Sequence, residues 1–254
     1  MYYNTYLTNK MIEILRKEQQ VYGEFNKGEI VENKPIGFPH EKGGFKAYSN
    51  IFYWAYASSK INSTIGLHPH KGFEIMSYVV KGSIKHYDTL MQKWINLNEG
   101  DLQIIQAGSG ISHSESINQN AAIFQIWFDP NIEKSINQKP IYKDYLAKHF
   151  KSIGEKKVII GKTSPVEICA ENISIFELNL EQNYIISNKL QNTISVYVIS
   201  GKFQISKEKI RQNDFIKIQN EESVEINLIT PGKLFCISSP KEPSYKTYIK
   251  QLAQ

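Results

Sequence analysis

The chain has 254 residues, 41% of them apolar, with a formal net charge of +5, and its mean hydropathy of −0.38 is that of a globular protein rather than a disordered one. That length accommodates one large β domain or two barrels. The basic balance does not predict nucleic-acid binding: 28 of the 30 basic residues are lysines, only Arg16 and Arg211 are arginines, and the basic residues are scattered among glutamates, whereas base and phosphate recognition uses arginine most.

In chain order, residues 8–19 read as a short amphipathic helix with Met11, Ile12 and Leu15 on one side. No charged-then-apolar leader precedes them and no apolar run approaches the ~18 residues of a membrane span, so a cytoplasmic location is expected. Residues 21–50 are punctuated by Gly and Pro and predict short strands and loops. From 51 to 128 short alternating or apolar runs are broken by Gly, Asn and Asp, the pattern of an all-β barrel. Residues 131–157 are polar, with a helical patch over 141–150, and read as a linker. After 158 the β pattern resumes. Cys169 and Cys236 fall in apolar strand-like runs and read as buried thiols.

An internal echo points to duplication. Ser77-Tyr78-Val79-Val80-Lys81-Gly82-Ser83-Ile84 returns as Val196-Tyr197-Val198-Ile199-Ser200-Gly201-Lys202-Phe203, and Gly100-Asp101-Leu102-Gln103 returns as Asn213-Asp214-Phe215-Ile216. The expectation is therefore an all-β protein of two tandem barrels, residues 1–145 and 146–254, with short helices at the N-terminus and in the linker.

Two segments carry the chemistry. In a strand every second side chain shares a face, so His68 and His70 project together, as do His113 and Glu115. Side by side they would gather three imidazoles and a carboxylate, a set for a divalent transition ion. The carboxylate favours iron(II), with Mn, Cu, Ni and Zn as alternatives. Glu74 shares the parity of His68 and His70 and is the competing carboxylate. His86 reads as a barrel-surface or hairpin residue, and His40 and His149 have no partner at ligand spacing. Projected through the echo, the four ligand positions fall near Ser187, Lys189, Ile226 and Leu228, so the second barrel is expected to hold no metal.

The flanks, Gly66-Leu67-His68-Pro69-His70-Lys71-Gly72-Phe73-Glu74, then Gly100-Asp101-Leu102-Gln103 and Ala107-Gly108-Ser109-Gly110-Ile111-Ser112-His113-Ser114-Glu115, resemble the two metal-binding motifs of the cupin superfamily. Within it they are most similar to the pirin family, as is Phe124-Gln125-Ile126-Trp127-Phe128-Asp129-Pro130 with Pro140 and Tyr142 beyond. The resemblance is specific over residues 64–145 and architectural after that. It implies two jelly-roll-like cupin barrels, with Glu115 rather than Glu74 as fourth ligand. Twelve residues lie between Gly100 and His113, where general cupins carry about ten, which agrees with the pirin pattern. It further implies quercetin 2,3-dioxygenase-type chemistry on a flavonol-like substrate and O2, with Glu115 as both ligand and base and Phe73, Trp127 and Phe128 available to line a flat pocket. The opposing reading is a metal-dependent regulatory protein acting through a protein partner. A sugar isomerase or epimerase would share the barrel without needing the ligand set.

Overall fold

Runs such as Ile51–Ser59 and Glu74–Lys81 combine β-branched and aromatic residues with apolar side chains on both faces, which suits strands covered on two sides. In the computed structural model, which describes residues 11–252, they are central strands of a seven-stranded antiparallel sheet. Its order is Ile141–Tyr145, Leu102–Gln106, Glu74–Lys81, Ala122–Phe128, Ile51–Ser59, Ile30–Ile36 and Val21–Phe25. Facing it is a four-stranded sheet in the order Ser63–His70, Ile111–Ile117, Ser83–Asp88 and Ile95–Asn98.

A second pair of sheets repeats this arrangement. Its seven strands run Met11–Leu15, Phe215–Gln219, Asn192–Val198, Gly232–Pro240, Ser174–Leu180, Lys156–Ile160 and Ser152–Ile153. Its four run Tyr184–Ser187, Ser223–Thr230, Lys202–Ile205 and Glu208–Arg211. The echo read from the sequence lies at the same point of both. The Gly100 N–H donates to the Val79 carbonyl at 2.8 Å, and Asn213 donates to Val198 at 2.8 Å. Gly82 and Gly201 turn the chain there at φ +73° and +86°; a Cβ on Gly201 would lie 2.7 Å from the Pro231 carbonyl oxygen, so the turn requires glycine. The chain is thus a two-domain cupin fold.

Two local expectations are corrected. Met11–Leu15 is a strand, not part of a helix, followed by a 3-10 turn at Lys17–Gln19; residues 8–10 lie outside the described region. It pairs antiparallel with Phe215–Gln219, Ile14 opposite Ile216, so the start of the chain completes the second lobe's large sheet. A helix that short is marginal alone, whereas a free sheet edge satisfies every second backbone group at once. Residues 141–150 likewise form the strand Ile141–Tyr145, on the equivalent edge of the first lobe, and a 3-10 turn at Ala147–His149. The helix in this stretch is the single turn Ile132–Ser135.

The two large sheets share a core: Trp54, Tyr78 and Phe124 from the first pack with Tyr197, Phe215 and Phe235 from the second, with Trp54 edge-on to Phe215 at 5.1 Å. The second lobe has an apolar core that includes Val196, Val198 and Ile226. Both cysteines are free, but only Cys236 is buried; Cys169 is exposed, because it lies in an irregular segment and not in a strand. No helix among the described residues is long and apolar enough to cross a membrane.

Candidate metal centre

The centre lies on the inner face of the first lobe's four-stranded sheet. His113 is opposite His68 on one neighbouring strand and Asp88 on the other, while Glu115 is opposite His86. A β-bulge makes this possible. Gly66 and Leu67 together oppose the single residue Ser114, which shifts parity so that Ser63 and Ile65 before the bulge and His68 and His70 after it all turn inward. The Gly66 carbonyl accepts a 2.8 Å hydrogen bond from His68 Nδ1, leaving His68 Nε2 with a free lone pair.

The ligand nitrogens of His68, His70 and His113 all lie within 4.8 Å of one another. The Nε2 atoms of His70 and His113 are 2.9 Å apart, close to the ~3.0 Å separating two nitrogens held at right angles about 2.1 Å from one ion. His113 is fully buried, His70 is 8% exposed, and His68 is half-exposed at the rim. Burial first, and then the His113 and His68 rings, push the His70 value down to about 3; burial, then the His68 and His86 rings, hold His113 well below the ordinary histidine range. Two imidazoles held neutral by burial, with the His68 ring beside them within ligand distance, fit a transition ion.

The same burial predicts an acid sensitivity of the metal-free protein. Below pH ~6.5 an unfolded chain protonates its histidines while His70 stays neutral down to about 3, so stability is to fall as pH drops through that window. Urea midpoints measured without metal between pH 7.5 and 5 should decline. A flat profile would contradict the assigned environment.

Glu115 is buried beneath the trio and is not a member of the group whose ligand atoms lie within 4.8 Å. Its Oε1 accepts from Ser77 Oγ at 2.9 Å and Gln103 Nε2 at 3.4 Å, and its Oε2 accepts from Gln125 Nε2 at 2.6 Å. These donors come from three adjacent strands of the large sheet, Leu102–Gln106, Glu74–Lys81 and Ala122–Phe128. Glu74 serves elsewhere: it accepts from the backbone N–H groups of Cys169 and Ala170 at 2.6 and 2.7 Å and from Gln106 Nε2 at 3.0 Å, tying the first lobe to residues 169–170. His40 stacks on Phe38, and the His149 ring accepts from the Leu146 N–H.

His86 is not on the surface. It is fully buried, bonded to the equally buried Asp88 at 2.7 Å, and its ring lies 5.6 Å from that of His113. Sequence reasoning missed this pair and the Ser77, Gln103 and Gln125 donors. The available signal was isolated polar residues at inward parity in otherwise apolar strands.

The second lobe shows what the first has specialised. Aligned on Gly82 and Gly201, the ladder pairs Ile84 with Ile117 and His86 with Glu115 in one lobe, Phe203 with Leu228 and Ile205 with Ile226 in the other. His113 then corresponds to Val224, and His68, opposite it, to Ile186. The projected positions Ser187, Lys189, Ile226 and Leu228 are therefore replaced by Ile186, Asn188, Val224 and Ile226; sequence spacing does not fix hairpin length. Ser77, Gln103 and Gln125 likewise become Val196, Ile216 and Cys236. Apart from Asn188 these counterparts all sit in the second lobe's apolar core. Among the described residues the histidine trio is the one group with ligand geometry.

Trp127 meets His70 edge-on at 4.8 Å and packs with Phe38, Phe52, Tyr53 and Phe73, an aromatic wall beside the centre. Phe128 is not part of it; its side chain is buried in the core between the lobes. A cavity of about 440 Å³ lined by Pro69, His70, Thr89, Ile111 and Ser112 reaches the edge of the centre at His70.

The chain is similar to several known proteins. The family model described as Pirin matches residues 43–128. A quercetin 2,3-dioxygenase of Escherichia coli strain K12 is 24% identical over 183 residues, 69% of this chain and 76% of that protein. The solved structure of the bacterial pirin YhhW from Escherichia coli in complex with nickel(II) superposes with a TM-score of 0.78 at 19% identity, covering 91% of this chain and all of that one. An oxalate decarboxylase of Lactobacillus farciminis in complex with formate superposes at 0.59 with 14% identity over 94% of this chain and 89% of that one.

Proposed function

The chain belongs to the pirin family of cupins, and from that premise we propose that it is a metal-dependent dioxygenase that opens a flavonol-type ring with O2. The observation that carries this reading is the trio of converging imidazoles, closed below by buried polar groups and reaching solvent at His68. His68, His70 and His113 would hold the ion, with Glu115 completing the set from beneath. Iron(II) is the first candidate, and the nickel held by a related pirin keeps other divalent ions in view. When bound, such an ion lowers the pKa of a hydroxyl it contacts.

The remaining work falls to the chain's own residues. The aromatic wall of Trp127, Phe73 and Phe52 offers a flat apolar face on which a planar substrate can stack. Glu115 takes the substrate's hydroxyl proton, and Ser77 and Gln125 hold its carboxylate in place. In this reading the first lobe carries the chemistry, and residues 146–254, joined by the strand Met11–Leu15, form a supporting barrel. One observation favours a regulatory alternative: Leu90, Met91 and Trp94, after Asp88, are large apolar side chains left exposed.

The test is oxygen uptake. Protein loaded separately with iron(II), manganese, copper or nickel is mixed with quercetin with and without air. O2 consumption matching flavonol loss, and none of that loss under anaerobic conditions, is the expected result. If no loaded form consumes O2 with any flavonol, the enzyme reading fails and partner binding takes its place.

A further inference from the structure

Three buried polar atoms beside the centre have no hydrogen-bond partner: His113 Nδ1, His86 Nδ1 and Tyr142 Oη. They belong to neighbouring rings. His86 stacks on Tyr142 with centroids 4.6 Å apart and planes 11° from parallel, and its other neighbour is the His113 ring at 5.6 Å. Leaving such groups unpaired inside a protein is unfavourable, and one shared partner between these adjacent rings would satisfy all three.

The proton positions make the set complementary. Asp88 Oδ1 accepts from the N–H groups of Leu90 and Met91 at 2.8 and 2.6 Å, so the turn following it fixes the carboxylate. Its Oδ2 faces His86 Nε2 at 2.7 Å. A carboxylate accepts, which puts the His86 proton on Nε2 and leaves Nδ1 as an acceptor. On His113 the arrangement is reversed. As a metal ligand His113 would offer Nε2, the atom 2.9 Å from His70 Nε2, as an acceptor, which puts its proton on Nδ1. One ring thus carries an unpaired donor and its neighbour an unpaired acceptor, with centroids 5.6 Å apart, and two hydrogen bonds of about 2.8 Å through one water can link them.

We propose that Asp88 and His86 are positioning residues for the metal centre, acting on His113 through a single buried water that Tyr142 also holds. The relay runs from the turn at Asp88 through His86 and the water to His113 Nδ1–H, and it fixes both the tautomer and the plane of that ligand. The second lobe supports this by contrast: the counterparts of His86 and His113 are Ile205 and Val224, both within an apolar core. A polar chain is present only where there is a centre for it to serve.

The inference rests on the metal reading of the trio, and the experiment separates the two. Zinc is used as a diamagnetic probe. Its affinity is measured by competition with a chromophoric chelator for the wild-type protein, Asp88→Asn and Tyr142→Phe, and the ring ¹⁵N signals of His86 and His113 are recorded in the wild type. Asp88→Asn keeps the shape but offers an N–H to His86 Nε2, moving the His86 proton to Nδ1 and setting donor against donor. Its zinc affinity is to fall about 10–100-fold, the usual scale for an outer partner of a ligand, with a smaller loss for Tyr142→Phe. The wild-type spectrum should show His86 protonated on Nε2 and His113 on Nδ1, an assignment that requires no variant to fold, and the loss of zinc affinity in Asp88→Asn is the effect that a merely structural pair would not produce. Wild-type zinc affinity in Asp88→Asn, or His86 protonated on Nδ1 in the wild type, overturns the relay alone. Absence of zinc binding by the wild type overturns the metal reading and the relay with it.

Discussion

Replacing His113 with alanine is expected to abolish metal binding and activity together. His113 is the hub of the trio: its ring lies 4.4 Å from that of His68 and 4.6 Å from that of His70, and its Nε2 is the closest approach in the group at 2.9 Å. The two remaining histidines are on one strand and cannot enclose an ion without the opposite strand. The loss of affinity should exceed the roughly 100-fold that an outer partner can cost. Elemental analysis of the purified variant should find metal far below one ion per chain. The shared core around Trp54 and Phe235 is remote from this change, so cooperative unfolding should be retained. A folded His113→Ala protein carrying a full equivalent of metal would refute the centre.

Replacing Glu115 with glutamine should have a different signature. Three imidazoles remain, so much of the metal is retained, but the carboxylate that accepts the substrate proton is gone. Turnover should drop by about 10²–10⁴-fold, the usual scale for loss of a general base. A second effect adds to this. Both Glu115 oxygens accept hydrogen bonds, from Ser77 and Gln103 on one side and Gln125 on the other, and a glutamine must turn an N–H₂ toward one of those donors. Gln125 is in turn bonded by Trp127 Nε1 at 3.3 Å, so the aromatic wall would feel the change as a raised KM. Metal content and turnover measured on the same preparation decide the matter. If turnover is unchanged at full metal loading, Glu115 is not the base; if metal is lost in proportion to turnover, its role is that of a ligand alone.

Much of the centre was legible because strand parity is a local property. His68 with His70 and His113 with Glu115 share a face through a period of two that needs no tertiary information, and the duplication showed through Gly82 and Gly201 because both turns demand a positive φ. The all-β class followed from short apolar runs between turn residues. Parity could not reveal the bulge at Gly66 and Leu67, which turns Ile65 inward together with His68, nor could it say which strands lie side by side. His86 looked like a hairpin residue for that reason, and is buried because its strand lies against the one carrying His113 and Glu115. Only the assembled sheets decided that Glu115 is held from the opposite face by Ser77, Gln103 and Gln125, that Met11–Leu15 crosses to the far lobe, and that the second barrel's inner face is apolar where the first is polar. Each of these depends on contacts between residues tens to hundreds of positions apart, and a residue's own neighbours in sequence carry no record of them.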